Sequence, residues 1–334
     1  MLRRRSFLSP FCNFQTADMA DFLHHHKNFP DLLRILEEET GIQSGLIEKD
    51  YWIMHVLYGL KSQGFNFELK GGTSLSKGFK IIERFSEDID IHIKPPAELK
   101  VNENPNNVKP RNIEAKKNFY DWLARNIKID GVISIERDTA FDNEKTYNSG
   151  GIRLYYKNHY ALMGGVKQGV LLEAGFDTVT PNTNITISSW AYDRAVSSGI
   201  GIINNQAMDI SCYNPGYTFV EKLQTIASKF RKEKETGDTG VNFMRQYYDV
   251  YSLLGNEKVR AFIGTEPYFA HKKKRFPPAD FAISISENEA FLLSDPATRE
   301  SFKQRYRSTA ALYYNGQPDF ETLLALIHTY IDKL

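Results

Sequence analysis

The sequence is poor in cysteine. Cys12 and Cys212 are its only two in 334 residues, which excludes a disulfide framework and a cysteine-built zinc site and fits a reducing compartment. A long apolar run is also missing, since no stretch approaches the roughly 18 residues of a membrane span. Neither sign of charge prevails: 42 Lys and Arg against 41 Asp and Glu leave a net charge of +1. No field of the whole protein then draws in a polyanion, and any nucleic acid is left to local basic patches. Internal repeats and low-complexity tracts are absent. The basic start, Met1-Leu2-Arg3-Arg4-Arg5, precedes only a short segment broken at Pro10, a poor signal peptide. The remainder is ordinary for a globular protein, with 41% hydrophobic and 25% charged residues and length for one large domain or two smaller ones. These absences predict a cytoplasmic protein without membrane attachment.

Two neighbouring segments carry chemistry. Phe65 to Leu69 reads as a strand that breaks at Gly71-Gly72, before Thr73-Ser74-Leu75. Paired glycines permit backbone conformations closed to other residues and let a ligand approach the main chain. Thr73 or Ser74 is expected to cap a short helix with Leu75, Phe79 and Ile82 on one face. Free amides at such a start attract phosphate. Next, Arg84-Phe85-Ser86-Glu87-Asp88-Ile89-Asp90-Ile91-His92-Ile93 alternates as a strand. Ile89, Ile91 and Ile93 enter a core, while Asp88, Asp90 and His92 share the other face. The Cα atoms of Asp88 and Asp90 are then roughly 6.5 Å apart, a spacing suited to joint coordination of a divalent cation. A phosphate turn beside a carboxylate pair predicts phosphoryl or nucleotidyl transfer with magnesium or manganese.

Gly-Gly-Thr-Ser followed by Arg-x-Ser-x-Asp-x-Asp resembles the first motif of the AbiEii/AbiGii nucleotidyltransferase-like toxin family, within the polymerase-beta-type nucleotidyltransferase superfamily. Glu48-Lys49-Asp50-Tyr51-Trp52 is similar to members of the same family. Glu221-Lys222-Leu223 resembles its third motif. Arg245 to Asp249 resembles its fourth, with Gln246 where an acid is usual. The resemblance spans residues 47 to 254. It implies an α/β (α+β) fold: a polymerase-beta-like core of mixed sheet with flanking helices, plus a helical C-terminal domain. The corresponding division is residues 1–212 and 213–334, the second part contributing Lys222 and Asp249 to the site. By the same resemblance Gly71, Gly72, Thr73 and Ser74, with Arg84 and Ser86, hold the nucleotide. Asp88 and Asp90 bind metal. Glu173 faces them as a third acid from a neighbouring strand, with Asp177 as its substitute. Lys222 steadies the phosphates, and Asp249 orients Lys222 or acts as base.

The rest of the chain reads more plainly. Helices are expected at 29–41, from 53 to 60 and at 111–127, and strands at 132–137, 152–156 and 170–177. In the last, Val170, Leu172, Ala174 and Phe176 face inward, leaving Glu173 and Asp177 on the opposite face. A weaker strand is expected at 185–187, a helical segment at 190–192 and a strand at 208–210. His24-His25-His26 reads as a solvated segment. Lys49 and Asp50 are open between a substrate-facing and a structural role. Thr218 with Glu221 reads as a capping box, which places Lys222 in the first turns of its helix. Arg245 and Asp249, four apart, can pair. Lys229 to Lys234, and a basic loop at Lys272-Lys273-Lys274-Arg275, are candidate RNA contacts. Residues 255–334 read as helical.

The resulting expectation is a magnesium-dependent nucleotidyltransferase with a nucleoside triphosphate as substrate. Family resemblance implies the toxin of a bacterial type IV toxin–antitoxin or phage-defence system. It also implies an antitoxin encoded nearby and an RNA acceptor, such as the acceptor end of tRNA. The alternatives are a nucleotide-binding module or sensor without turnover, and a manganese-dependent sugar transferase using Asp-x-Asp.

Overall fold

The structure is a computed structural model that describes residues 20–240 and 243–334. The expectations for residues 1–19, Cys12 included, lie outside the described residues.

Helix α1 (Phe29–Thr40) opens with Pro30 in its first turn and closes on Gly41 at φ +73°. Phe29, Leu32, Leu33 and Leu36 form its buried stripe. Helix α2 (Ser44–Ser62) is buried nearly all round, as its dense apolar content requires.

Seven strands form one mixed sheet in the order β3-β4-β5-β2-β1-β7-β6. They are β1 (Phe67–Lys70), β2 (Asp88–Ile93), β3 (Val132–Asp138), β4 (Ser149–Tyr156), β5 (Val170–Gly175), β6 (Asn182–Ile187) and β7 (Ala207–Tyr213). Strand β2 is central, antiparallel to β1 and parallel to β5. Its isoleucines are fully buried, as the alternation predicts. Helix α3 (Pro110–Asn126) follows β2, and helix α4 (Trp190–Ser197) links β6 to β7.

The glycine turn departs from its expected form. The chain leaves β1 directly into a helical turn, Gly71–Thr73, which widens into a π turn over Ser74–Gly78. Gly71 sits at φ +72°, so the helix starts earlier than Thr73. Neither Thr73 nor Ser74 caps it: the Thr73 hydroxyl donates to the Asp88 carbonyl, and Ser74 is buried.

Beyond β7 the chain is mainly helical, with a second apolar cluster that also takes in Leu75 and Ile82 beside the glycine turn. Helix α5 (Pro215–Thr236) is capped by Asn214, whose side chain accepts from the Gly216 amide at 2.9 Å. Asn-Pro is a stronger start than the capping box expected at Thr218, because it supplies both a cap and a preset first residue. Thr218 lies inside the helix, and Lys222 is two turns in, past the reach of the N-terminal dipole. Helix α6 (Arg245–Gly255) packs on α5, and α7 (Glu257–Phe262) and α8 (Glu266–Arg275) follow it. Lys272 to Arg275 is the last turn of α8 rather than a loop, where cations suit the helix dipole.

Three consecutive charges of α2 lie inside the protein, each at most 1% exposed. Glu48 accepts from the His159 amide at 3.0 Å and from the Tyr160 amide at 3.3 Å. Lys49 donates to the Lys167 carbonyl at 2.6 Å and lies 3.5 Å from Glu87. Asp50 lies 2.6 Å from the Lys77 ammonium and accepts from the Trp190 amide at 3.0 Å. One helix thus ties down the segment after β4, the entry to β2, the glycine turn and the start of α4. A substrate-facing role for Lys49 and Asp50 does not survive this burial.

Lys49→Met leaves Glu87 buried without its cation. It should lower the free energy of unfolding by about 3 kcal/mol, read by urea denaturation; a loss within error of zero would show the pair to be dispensable.

Candidate active site

The sheet register brings three carboxylates together. Asp90 pairs in register with Glu173 on the adjacent parallel strand β5, and Asp88 lies two residues along β2. All three are half-buried on one face. Among the described residues, none makes a hydrogen bond or ion pair through its carboxylate. Burial, with Glu87 and Asp90 beside it, pushes the Asp88 carboxyl up to about 6. Burial, with Asp90 and Asp88, pushes Glu173 up to about 7. Asp90 is also raised by burial, although Lys70, Lys222 and Arg84 oppose the shift. The third motif member of the same strand face, His92, is instead held between Glu68 and Glu103, each at 2.8 Å.

Asp90 lies against the glycine bend. A Cβ on Gly71 would sit 2.1 Å from Asp90 Oδ2. A Cβ on Gly72 would meet Ser86 Oγ at 2.5 Å and Arg84 Nη2 at 3.3 Å. The glycines therefore let the bend pack onto the first motif itself. Gly72, Thr73 and Ser74 are buried, main chain included, so among Gly71 to Ser74 only Gly71 is partly exposed to a ligand.

The α5–α6 side contributes Lys222 and Asp249. Asp249 is fully buried and accepts from Arg84 Nε and Nη2, each at 2.7 Å, and lies 2.8 Å from Lys222 Nζ. Burial would raise its pKa, but Arg84 and Lys222 hold it down at about 2. Three expectations change as a result. Asp249 is an orienting group and not a base, since its oxygens are occupied. Arg84, 4% exposed, is spent on Asp249 and does not reach a nucleotide. Arg245 does not pair with Asp249, because Arg84 already takes both oxygens. Gln246, at the position where an acid was expected, accepts from Lys222 Nζ at 2.9 Å as a neutral partner.

Asp177, the substitute third acid, is clamped by Arg275 at 2.6 and 2.8 Å and by Lys70 at 3.3 Å. These cations hold it near 2 despite its burial, so it is no metal ligand. Much of the basic sequence is likewise tied up: Arg231 pairs with Asp280 and Glu235, and Arg275 also approaches Glu221. Lys229, Lys273 and Lys274 remain exposed.

Arg245 was expected only as a partner of Asp249, and Lys70 had no expected role. Nothing in a single sequence marks Lys70, which owes its place to the register Lys70↔Asp90. Arg245 is 9% exposed and, among the described residues, makes no hydrogen bond or ion pair. Its charged neighbours are Arg84, Glu87, Asp249 and Asp88.

The histidine segment is solvated only in part, with His25 exposed and the His24 side chain turned inward. The His24 side chain is buried, with Nδ1 at 2.8 Å from the Tyr51 hydroxyl and Nε2 at 2.8 Å from Asp130. His25 joins the same Asp130 oxygen, and His55 Nε2 contacts the Asp130 carbonyl at 3.1 Å. His24, His55 and Asp130 present ligand-type atoms within 4.8 Å of one another. Each facing nitrogen already has a hydrogen-bond partner, and the group shares no residue with the carboxylate cluster.

A model of the family described as the nucleotidyl transferase AbiEii toxin of type IV toxin–antitoxin systems matches residues 55–326. The chain belongs to this family. It is accordingly a nucleotidyltransferase, and nucleotidyltransferases use a nucleoside triphosphate and a divalent metal. None of the curated proteins matches. A solved structure, an antigenic nucleotidyltransferase-like protein from Paracoccidioides brasiliensis, is 14% identical, with 69% of this chain and 94% of that chain covered and a TM-score of 0.34. No helix among the described residues is long and apolar enough to cross a membrane.

The carboxylate cluster of this AbiEii-family chain fits a hard divalent cation. Its donors are all oxygen, stand on one face of adjacent strands roughly 4.8 Å apart, and have no competing partner among the described residues. Gly71→Ala would drive a methyl group into Asp90. It should weaken magnesium binding at least tenfold by calorimetry, an order set by losses of ligand orientation, with little change in helix content.

Without metal, Asp88 and Glu173 titrate at about 6 and about 7 in the folded chain, against reference values of 3.8 and 4.5. Folding then takes up protons. Their contribution to stability is full below the reference values and is lost as pH rises through the folded ones. A divalent ion held here would bind the ionised carboxylates and reverse this loss. The magnesium-induced rise in Tm should therefore grow with pH across that window and vanish in Asp88→Asn/Glu173→Gln. An increment equal on both sides of the window would place the ion elsewhere.

Proposed function

We propose that this chain transfers a nucleoside monophosphate from a nucleoside triphosphate to an acceptor hydroxyl. Magnesium, or manganese, is held by Asp88, Asp90 and Glu173. The acceptor is RNA, with the acceptor end of tRNA as the first candidate. As a toxin it is countered by an antitoxin encoded nearby. The observation that carries the reading is the set of three crowded, unpaired carboxylates beside the Gly71-Gly72 bend. The two apolar clusters support a division near residue 213 into a sheet-bearing part and a helical part.

A divalent ion bound there activates the attacking hydroxyl and offsets charge on the α-phosphate. The chain supplies position. The main chain at Gly71, half-buried beside Asp90, is offered to the phosphates. Lys222, fixed between Asp249 and Gln246, faces the same region as a cation of defined direction. The acceptor oxygen forms a bond to the α-phosphorus. The bond from that phosphorus to the bridging oxygen breaks, and pyrophosphate leaves with the electron pair. The hydroxyl proton passes to water. Exposed Lys273 and Lys274 support an RNA acceptor by charge alone.

The test is transfer of label from each α-labelled triphosphate to total RNA. Wild type should label RNA, and Asp88→Asn/Asp90→Asn should fall to background. Transfer surviving in the double variant would remove the metal role; label appearing in protein alone would remove the RNA acceptor.

A further inference from the structure

Arg245 is a cation nine-tenths buried, with no ion-pair partner among the described residues. Such a placement is costly unless a partner arrives. The neighbouring acids do not supply one. Asp249 is taken by Arg84 and Lys222, and Glu87 lies against Lys49 and accepts from the Lys167 amide at 3.2 Å. Asp88 belongs to the carboxylate cluster. The arginine stands at the first position of α6, one residue before the Gln246 that fixes Lys222. Lys229 lies seven residues along α5 from Lys222, on the same helix face, exposed, with Lys222 and Arg245 as its charged neighbours. These three side chains make a line of positive charge that starts beside the carboxylates and ends in solvent. A guanidinium fork matches two phosphate oxygens at once, and a lysine adds a point charge further out.

We propose that Arg245, with Lys229 as outer support, grips the terminal phosphates of the triphosphate and retains the pyrophosphate as it departs. This rests on the transfer reading above. As the bond between the α-phosphorus and the bridging oxygen breaks, the electron pair and a new negative charge settle on the β-phosphate. Arg245 faces that developing charge, so it assists the leaving group as well as binding it.

Calorimetry with sodium tripolyphosphate and magnesium, alongside steady-state transfer, tests this on the full chain. Arg245→Gln should weaken tripolyphosphate binding and raise KM for the triphosphate by about tenfold or more, the scale of a lost charged hydrogen bond. Arg245→Lys should recover only part, because the fork is gone. Lys229→Gln, on the surface, should cost about threefold, as exposed charges do. KM for the RNA acceptor, and binding of a single-stranded oligonucleotide, should not move. Loss of oligonucleotide binding with tripolyphosphate binding intact would assign these cations to the acceptor and overturn the proposal. No change in either ligand would overturn it too. Should Arg245→Gln fail to fold, Lys229→Gln decides by the same two readouts. The two readings separate cleanly. Tripolyphosphate binding lost in the variants of an inert wild type would leave the anion site and remove transfer. Active wild type with unaffected variants would do the reverse.

Discussion

The site depends on one buried carboxylate. Asp249 receives both nitrogens of the Arg84 fork and the ammonium of Lys222, and it is closed to water. Arg84 comes from the segment entering β2; Lys222 and Asp249 come from helices α5 and α6. A single anion therefore fastens the helical part to the middle of the sheet, where the acids gather. Removing it would leave two cations facing each other in a low-dielectric interior, where repulsion is poorly screened. Lys222 gains its aim from the same contact, with Gln246 holding the ammonium from the other side.

The opposite wall is built on the contrary principle. Asp88, Asp90 and Glu173 are placed without partners, while nearly every other buried charge around them has one. Glu48, Lys49 and Asp50 point in different directions from one buried helix and brace the segments around it. That rigid frame keeps three like charges from relaxing apart. The crowding stores an affinity for cations that a looser arrangement would lose.

Local pattern revealed the sheet half of this design. The isoleucine alternation fixed the face of Asp88 and Asp90, and the alternation in β5 put Glu173 on the matching face. Both follow from the two-residue period of a strand, which needs no tertiary information. The helix starts were harder. Thr218 and Thr73 have cap chemistry, but Asn214-Pro215 and Gly71 settle the boundaries upstream of them. The pairings at α6 were beyond reach for a different reason. Spacing four apart suggests Arg245 with Asp249, yet the partner that wins is Arg84, 165 positions distant. Contacts at that separation depend on the packed fold, as do the capture of Asp177 by Arg275 and the insertion of His24 between Tyr51 and Asp130.

Gln246 carries a consequence for the charge balance of the cleft. An acid there would offset Lys222; an amide holds the lysine and leaves its charge in play. Lys222 and Arg245 then stand on the helical side, while the three acids on β2 and β5 have no ion-pair partner among the described residues. The site then has an acidic wall and a basic one, each mismatched within itself. A metal-bound polyphosphate inverts that polarity: its cation meets the acidic wall and its anion the basic one. Neither component alone neutralises both walls, so the cleft favours the pair arriving as one salt over either ion singly.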